Sequence, residues 1–229
     1  ILVDYIPFYN PDLGERSTDM ALWHLQECIR RYPGQHSCFV FELVQGEGGF
    51  NVAPREFFVA LMQACKAAGI PVWDDEVQTF GRTESMFAFE ALALGEFIDV
   101  VSIGKISQAC ACLYTADMNP KAGLLSGTFS ASVTSLHAGI SMLSRLRDGG
   151  YYGANGRIAK LHAAFRAKAD DLVKRRGEFF PAVKKPFGRE SKNFVSGVGG
   201  MMRLTPFGGD KERIAKLLQH DGQDQQQDT

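Results

Sequence analysis

Asp75 and Lys105 are the residues of this 229-residue chain whose types and setting point most directly to chemistry. Asp75 stands in Trp73-Asp74-Asp75-Glu76-Val77-Gln78-Thr79-Phe80-Gly81-Arg82-Thr83-Glu84, and Lys105 closes Ser102-Ile103-Gly104-Lys105. Each follows a short apolar run bounded by polar or glycine-containing sequence, Ile70-Pro71-Val72-Trp73 and Ile98-Asp99-Val100-Val101-Ser102-Ile103, which reads as a buried strand. In an open α/β sheet, ligands bind at the carboxyl ends of strands, where both groups would sit. An amine that can condense with a carbonyl and a carboxylate that can pair with a protonated ring nitrogen are what pyridoxal phosphate requires of its protein. An ammonium cannot attack an aldehyde, so surroundings that desolvate Lys105 and favour its neutral form are expected.

The elements that must position these groups can be read from periodicity. Ser17 or Thr18 is expected to cap a helix carrying Leu22, Leu25, Cys28 and Ile29 on its apolar face, ending before Pro33-Gly34. A buried strand over Cys38 to Val44 follows. Pro54 opens a second helix with Phe57, Phe58, Leu61, Met62 and Cys65 on one face, stopped by Gly69. The two strands that end at Asp75 and Lys105 come next, separated by a helix-like stretch around Phe87 to Leu94. This alternation predicts an α/β fold with a mainly parallel sheet flanked by helices.

Val133, Leu136, Ile140 and Leu143 mark another amphipathic helix, closed by Asp148-Gly149-Gly150. A boundary is expected there, with 1–148 in a large domain and 149–229 in part of a smaller C-terminal α+β domain. In the second part Ile158, Leu161, Phe165, Leu172 and Val173 define a long helix, and Phe194 to Leu204 reads as a strand or hairpin. A short helix carries Ile214, Leu217 and Leu218, and the tail from Asp221 lacks any apolar residue and is expected to be disordered.

Composition narrows the classes. With 45% hydrophobic and 22% charged residues, the chain has material for a sizeable core. A net charge of −1 with mixed signs gives no footprint for nucleic acid or an anionic membrane. No apolar stretch approaches the roughly 20 residues that span a bilayer. Cys28, Cys38, Cys65, Cys110 and Cys112 are odd in number and form no CxxC, so reduced thiols in a cytoplasmic protein are expected, with Cys110 and Cys112 as small apolar filler. The histidines converge on no metal or nucleophile pattern; no metal is expected.

Four motifs, in order, resemble the class III pyridoxal-phosphate aminotransferases, the group of the ornithine, acetylornithine and 4-aminobutyrate enzymes. They are Glu42-Leu43-Val44-Gln45-Gly46-Glu47-Gly48-Gly49, Asp75-Glu76-Val77-Gln78-Thr79, Gly104-Lys105 and Gly127-Thr128-Phe129. The resemblance covers about residues 36 to 146 and implies a fold-type-I enzyme with pyridoxal 5′-phosphate as cofactor. It implies transfer of an amino group, often a terminal one, from an amino donor to a 2-oxo acid such as 2-oxoglutarate.

Residue roles follow from the same resemblance. Lys105 would be the Schiff-base lysine. An Asp after a strand is commonly a turn residue, and strand alternation puts Asp74 and Asp75 on opposite faces; the resemblance selects Asp75 as partner of the ring nitrogen. Val77 would pack on the ring and Gln78 would meet its phenolic oxygen. Glu42, in an apolar strand, needs a bound group or basic partner, and Glu47 would act on the substrate side. Thr128 would reach the cofactor phosphate of the other subunit, implying a homodimer with shared sites.

The chain also departs from the family. Thr79 joins Phe80 directly where relatives usually have a glycine between them, and the run after Lys105 is not glycine-rich. Remodelled site loops are therefore expected, which leaves the donor's identity open but not the cofactor. An upstream phosphate-binding turn is missing, so the chain is expected to be a fragment, or the ordered part, of a larger enzyme. The rival readings are a related aminomutase or decarboxylase, which shares the Lys and Asp, and a truncated inactive homologue. Gln78, where such aminomutases usually carry methionine, favours the transaminase.

Overall fold

The structure is a computed structural model that describes residues 2–125, 127, 132–184, 190–191 and 194–216. Its centre is a four-stranded sheet in the order β1 (Phe39–Phe41), β4 (Val72–Asp75), β5 (Val100–Ile103) and β6 (Ala111–Tyr114). β1, β4 and β5 run parallel and β6 is antiparallel to β5, so the expected mainly parallel α/β sheet is present. Two small hairpins sit outside it: β2 (Val44–Gln45) with β3 (Asn51–Val52), and β9 (Val195–Val198) with β10 (Met201–Leu204). A further antiparallel pair joins β7 (Val183–Lys184) to β8 (Glu190–Ser191).

Helix α1 (Glu15–Arg31) packs on α2 (Arg55–Ala67), and α2 packs on β4. The α2 face is the expected one: Phe57, Phe58, Leu61, Met62 and Cys65 are all buried. Pro54 holds the N-cap position, and Gly69, at a left-handed φ of 67°, turns the chain into β4. Together with Leu25, Leu43, Val72, Leu94, Ile98 and Val101 these side chains form the core. Lys66 reinforces the packing through Asp99, whose carboxylate also accepts the Val72 N–H at 2.8 Å.

Several local expectations are corrected. Helix α1 starts at Glu15, ahead of the expected caps, and Ser17 is buried inside its first turn, where its hydroxyl accepts the Asn10 N–H at 2.8 Å. The strand expected over Cys38 to Val44 pairs only at Phe39–Phe41, because Val44–Gln45 leaves the sheet to pair with Asn51–Val52. The helix-like stretch before β5 contracts to α3 (Ala88–Ala91) and a 3₁₀ turn at Gly95–Phe97.

The largest correction concerns α4 (Val133–Asp148), which forms where expected but does not bury the expected face. Val133, Leu136, Ile140 and Leu143 are exposed, while Gly139 and Leu146 face inward. Gly139 brings α4 against the turn after β5: a Cβ there would lie 2.9 Å from the Ser107 carbonyl oxygen.

α5 (Arg157–Arg175) is the expected long helix and the β9–β10 hairpin the expected one. Helix continues at 211–216 with Ile214 inside it, while Leu217, Leu218 and the polar tail lie outside the described residues. Cys110 and Cys112 are exposed at the sheet edge and are not core filler; all five cysteines are free thiols. No helix among the described residues is long and apolar enough to cross a membrane.

Candidate functional site

Asp75 ends β4, and its register partner on β5 is Ser102, just before Gly104-Lys105. Parallel pairing therefore carries both strand ends to the same sheet edge, where the side chains of Asp75 and the residues after Ser102 can meet one ligand. Alternation along β4 separates the two aspartates as expected. Asp74 is fully buried, whereas Asp75 is half-buried on the other face.

The Asp75 carboxylate is held from one side. Its Oδ1 accepts the Val77 N–H at 3.0 Å and the Ser102 hydroxyl at 3.2 Å. Ser102 Oγ in turn accepts the Trp73 indole N–H at 3.2 Å. Among the described residues no donor reaches Oδ2 of Asp75, so this oxygen remains available to an incoming N–H.

Lys105 occupies a turn with a left-handed φ of 54°, followed by Gln108 at 62°. A non-glycine residue held there stores about 1–3 kcal/mol of strain, a feature that clusters at functional sites. The turn is braced by Gly139 of α4 and by Ile106, which meets the Gly81 backbone beside Leu146. The expected desolvation of the amine is absent: Lys105 is exposed. Behind it, a Cβ at Gly104 would lie 3.3 Å from Val77, so the Val77 side chain and the lysine turn are in contact range.

The first glutamate motif joins the same edge. The Gln78 side chain lies across Gly46, where a Cβ would come within 2.5 Å of Gln78 Cδ, and its amide donates to Glu47 Oε1 at 3.1 Å. Glu42 is half-buried and accepts the Gly46 N–H at 3.2 Å. The partner expected for Glu42 is thus a backbone amide in its own turn. Asp75, Val77, Gln78, Lys105, Glu42 and Glu47 gather along one edge, while Thr128 lies outside the described residues. His137 is exposed on α4.

The opposite face of β4 carries a second carboxylate pair. Glu76 is buried and accepts the Ala88 N–H at 2.8 Å, the Phe89 N–H at 3.0 Å and the Thr79 hydroxyl at 3.1 Å. Among the described residues no hydrogen-bond donor reaches either oxygen of Asp74. Burial, and then the neighbouring Glu76 carboxylate, push Asp74 well above the usual carboxylate range. Burial raises Glu76 as well, while the backbone donors from Ala88 and Phe89 oppose that shift.

Sequence reasoning did not identify Trp73, Ser102 or the β9–β10 hairpin as parts of the site. The hairpin turn reaches back to it: Gly200 N–H donates to the Arg82 carbonyl at 2.7 Å, and Arg82 donates to the Gln78 carbonyl at 2.9 Å. Gly199, at φ 55°, is required, since a Cβ would fall 2.4 Å from the Arg82 carbonyl oxygen. Ser196 meanwhile donates to the Gly49 carbonyl at 3.2 Å. The Phe194 to Leu204 periodicity could signal a hairpin but not its target. Two cavities, of about 220 and 520 Å³, are lined by neither Asp75 nor Lys105; the site is an open edge.

A group fitting this edge needs an N–H for the open oxygen of Asp75 and a carbonyl for the Lys105 amine. Pyridoxal phosphate carries both, and the residues present fit its ring end.

Comparison with known proteins finds aminotransferases. The chain is 31% identical over 137 residues to a diaminobutyrate–2-oxoglutarate aminotransferase of Rhizobium meliloti, covering 57% of this chain and 29% of that protein. It is 27% identical over 195 residues to the L-lysine-epsilon aminotransferase of Mycobacterium tuberculosis, covering 80% of this chain and 42% of that one. The solved lysine aminotransferase from M. tuberculosis shares the fold, with a TM-score of 0.66 at 24% identity over 82% of this chain and 43% of the other. The chain spans less than half the length of these curated relatives. The family model described as aminotransferase class-III matches residues 5–151, which hold the sheet, Asp75 and Lys105, and the chain belongs to that family.

Proposed function

We propose that this chain is part of a pyridoxal-phosphate-dependent aminotransferase that moves an amino group from an amino acid or amine donor, often from its terminal position, to a 2-oxo acid such as 2-oxoglutarate. One observation carries the reading: parallel register brings Asp75, with one oxygen open, and Lys105, on a strained turn, to the same sheet edge. When bound, the cofactor supplies an electron sink that withdraws charge from the substrate carbon.

The chain's own residues do the rest. Asp75 accepts the ring N–H and holds that proton on the ring nitrogen. Lys105 would hold the aldehyde end and would carry a proton to and from the substrate carbon. Val77 would wall one ring face, and Gln78 would be the residue to meet the phenolic oxygen. Glu42 and Glu47 stand on the substrate side. Thr128 is assigned to the phosphate of a partner subunit.

The active form is read as a homodimer with shared sites. The exposed row Val133, Leu136 and Ile140 on α4 supports this, because contiguous exposed apolar surface marks an interface. The domain boundary is placed at 148/149. Five free thiols fit a reducing, cytoplasmic location. Gln78, hydrogen-bonded to Glu47, favours transfer over the aminomutase alternative.

Borohydride reduction of the cofactor-loaded full-length protein, followed by peptide mapping, should place the pyridoxyl group on Lys105. An adduct on Lys66, which is ion-paired to Asp99 at 2.6 Å, or on exposed Lys121, overturns the assignment. Amino transfer to added 2-oxoglutarate separates the transaminase from its rivals.

A further inference from the structure

We propose that Trp73 and Ser102 are positioning residues that lock the Asp75 carboxylate so that Oδ2 faces the cofactor ring; this rests on the role given to Asp75 above. The register sets Ser102 directly across from Asp75, and Trp73 lies on the same face of β4, two residues earlier. A directly opposed pair and its diagonal neighbour are within reach of one another only when a side chain is long. The indole meets that requirement: Trp73 Nε1 reaches Ser102 Oγ at 3.2 Å, across the diagonal from its own register partner, Val100.

The direction of the chain follows from what each group can do. An indole N–H only donates and an ionised carboxylate only accepts. Trp73 therefore takes a lone pair of Ser102 Oγ, and the single Ser102 proton points to Asp75 Oδ1 at 3.2 Å. The Val77 N–H lands on the same oxygen at 3.0 Å. The terminal torsion of an aspartate is soft and broad; two donors converging on Oδ1 from different elements fix it. The ring-facing oxygen is thereby set before any ligand arrives, so binding does not have to order it.

Trp73 also makes the arrangement observable. The chain has two tryptophans, and the other, Trp23, is exposed on α1. With every other tryptophan of the full-length protein replaced by phenylalanine, quenching of Trp73 emission should follow cofactor binding at Asp75.

The test uses the full-length protein in its cofactor-free form, titrated with pyridoxal 5′-phosphate by fluorescence and by equilibrium dialysis, with circular dichroism checking that each variant is folded. Ser102→Ala removes one donor from a charged acceptor, and the dissociation constant should rise about tenfold. Ser102→Thr keeps the hydroxyl and should restore affinity to within about twofold. Trp73→Phe, read by dialysis alone, should weaken binding about threefold, because its contact acts through Ser102. If Ser102→Ala binds like the parent, or if Ser102→Thr is as weak as Ser102→Ala, the positioning role is overturned. Asp75→Asn keeps the two failures apart: binding unaffected by that change overturns the Asp75 assignment itself, whereas weakened Asp75→Asn beside an unaffected Ser102→Ala overturns only the relay.

Discussion

Strand β4 places two neighbouring carboxylates in opposite environments. On the open face, Asp75 is half-buried, its Oδ1 takes two hydrogen bonds and its Oδ2 takes none among the described residues. On the packed face, Asp74 is fully buried with no donor at either oxygen, beside a Glu76 that the Ala88 and Phe89 amides hold. The first face invests its polar groups in an opening for a ligand. The second invests them in fastening the loop after β4 to α3. Adjacent residues of one type thus differ in function because the sheet gives them different neighbours.

The largest expected effect lies at the open edge. Lys105→Ala in the full-length enzyme should lower turnover by about 10³-fold or more, from loss of anchoring and proton transfer. Unfolding free energy should move by no more than about 0.5 kcal/mol, since the side chain is exposed. Steady-state kinetics beside urea denaturation checks this; substantial turnover remaining in the variant would remove Lys105 from the chemistry.

Asp75→Asn should cost on the order of 10- to 100-fold in turnover, the size of one lost charge-assisted hydrogen bond. The same exchange at Asp74 should leave turnover nearly intact. Should the two substitutions trade places in a kinetic assay, the faces have been assigned backwards.

The packed face is tested through pH. The folded-state pKa of Asp74 is raised, so its contribution to stability is complete below the unfolded value of about 3.9 and is lost as pH climbs through the folded-state value. Asp74→Asn carries no titrating proton and should gain stability relative to the parent as pH rises from 4 to 8. Denaturation midpoints for the two proteins that run parallel across this range contradict a protonated Asp74.

The smallest effect belongs to Glu47→Gln. Its contact is an exposed hydrogen bond from Gln78, which a glutamine oxygen can still accept. Cofactor affinity should change less than about threefold, and a larger loss measured by dialysis would move Glu47 from the substrate side to the ring itself.

Much of the site was legible before any coordinates. Period-2 alternation separated Asp74 from Asp75, and apolar runs ending at Asp75 and Lys105 marked the strand ends. The parallel sheet followed from strands alternating with helices, and α2 was read correctly because a single-sided apolar stripe, a starting proline and a stopping glycine all agree. Helix α4 shows the limit. Periodicity gave its length and its apolar row, but an apolar row says only that something covers it, and Val133, Leu136 and Ile140 are exposed in this chain.

By itself the sequence determined which residues can do chemistry, and that Asp74 and Asp75 point apart, because both follow from side-chain type and from the strand period. Tertiary structure alone decided the rest. Register put Ser102 across from Asp75 and within reach of Trp73, the return of β9–β10 tied Gly200 to Arg82, and the turn after β5 left Lys105 exposed. Those contacts join residues far apart in the chain, and no local periodicity encodes the pairing of one strand with another.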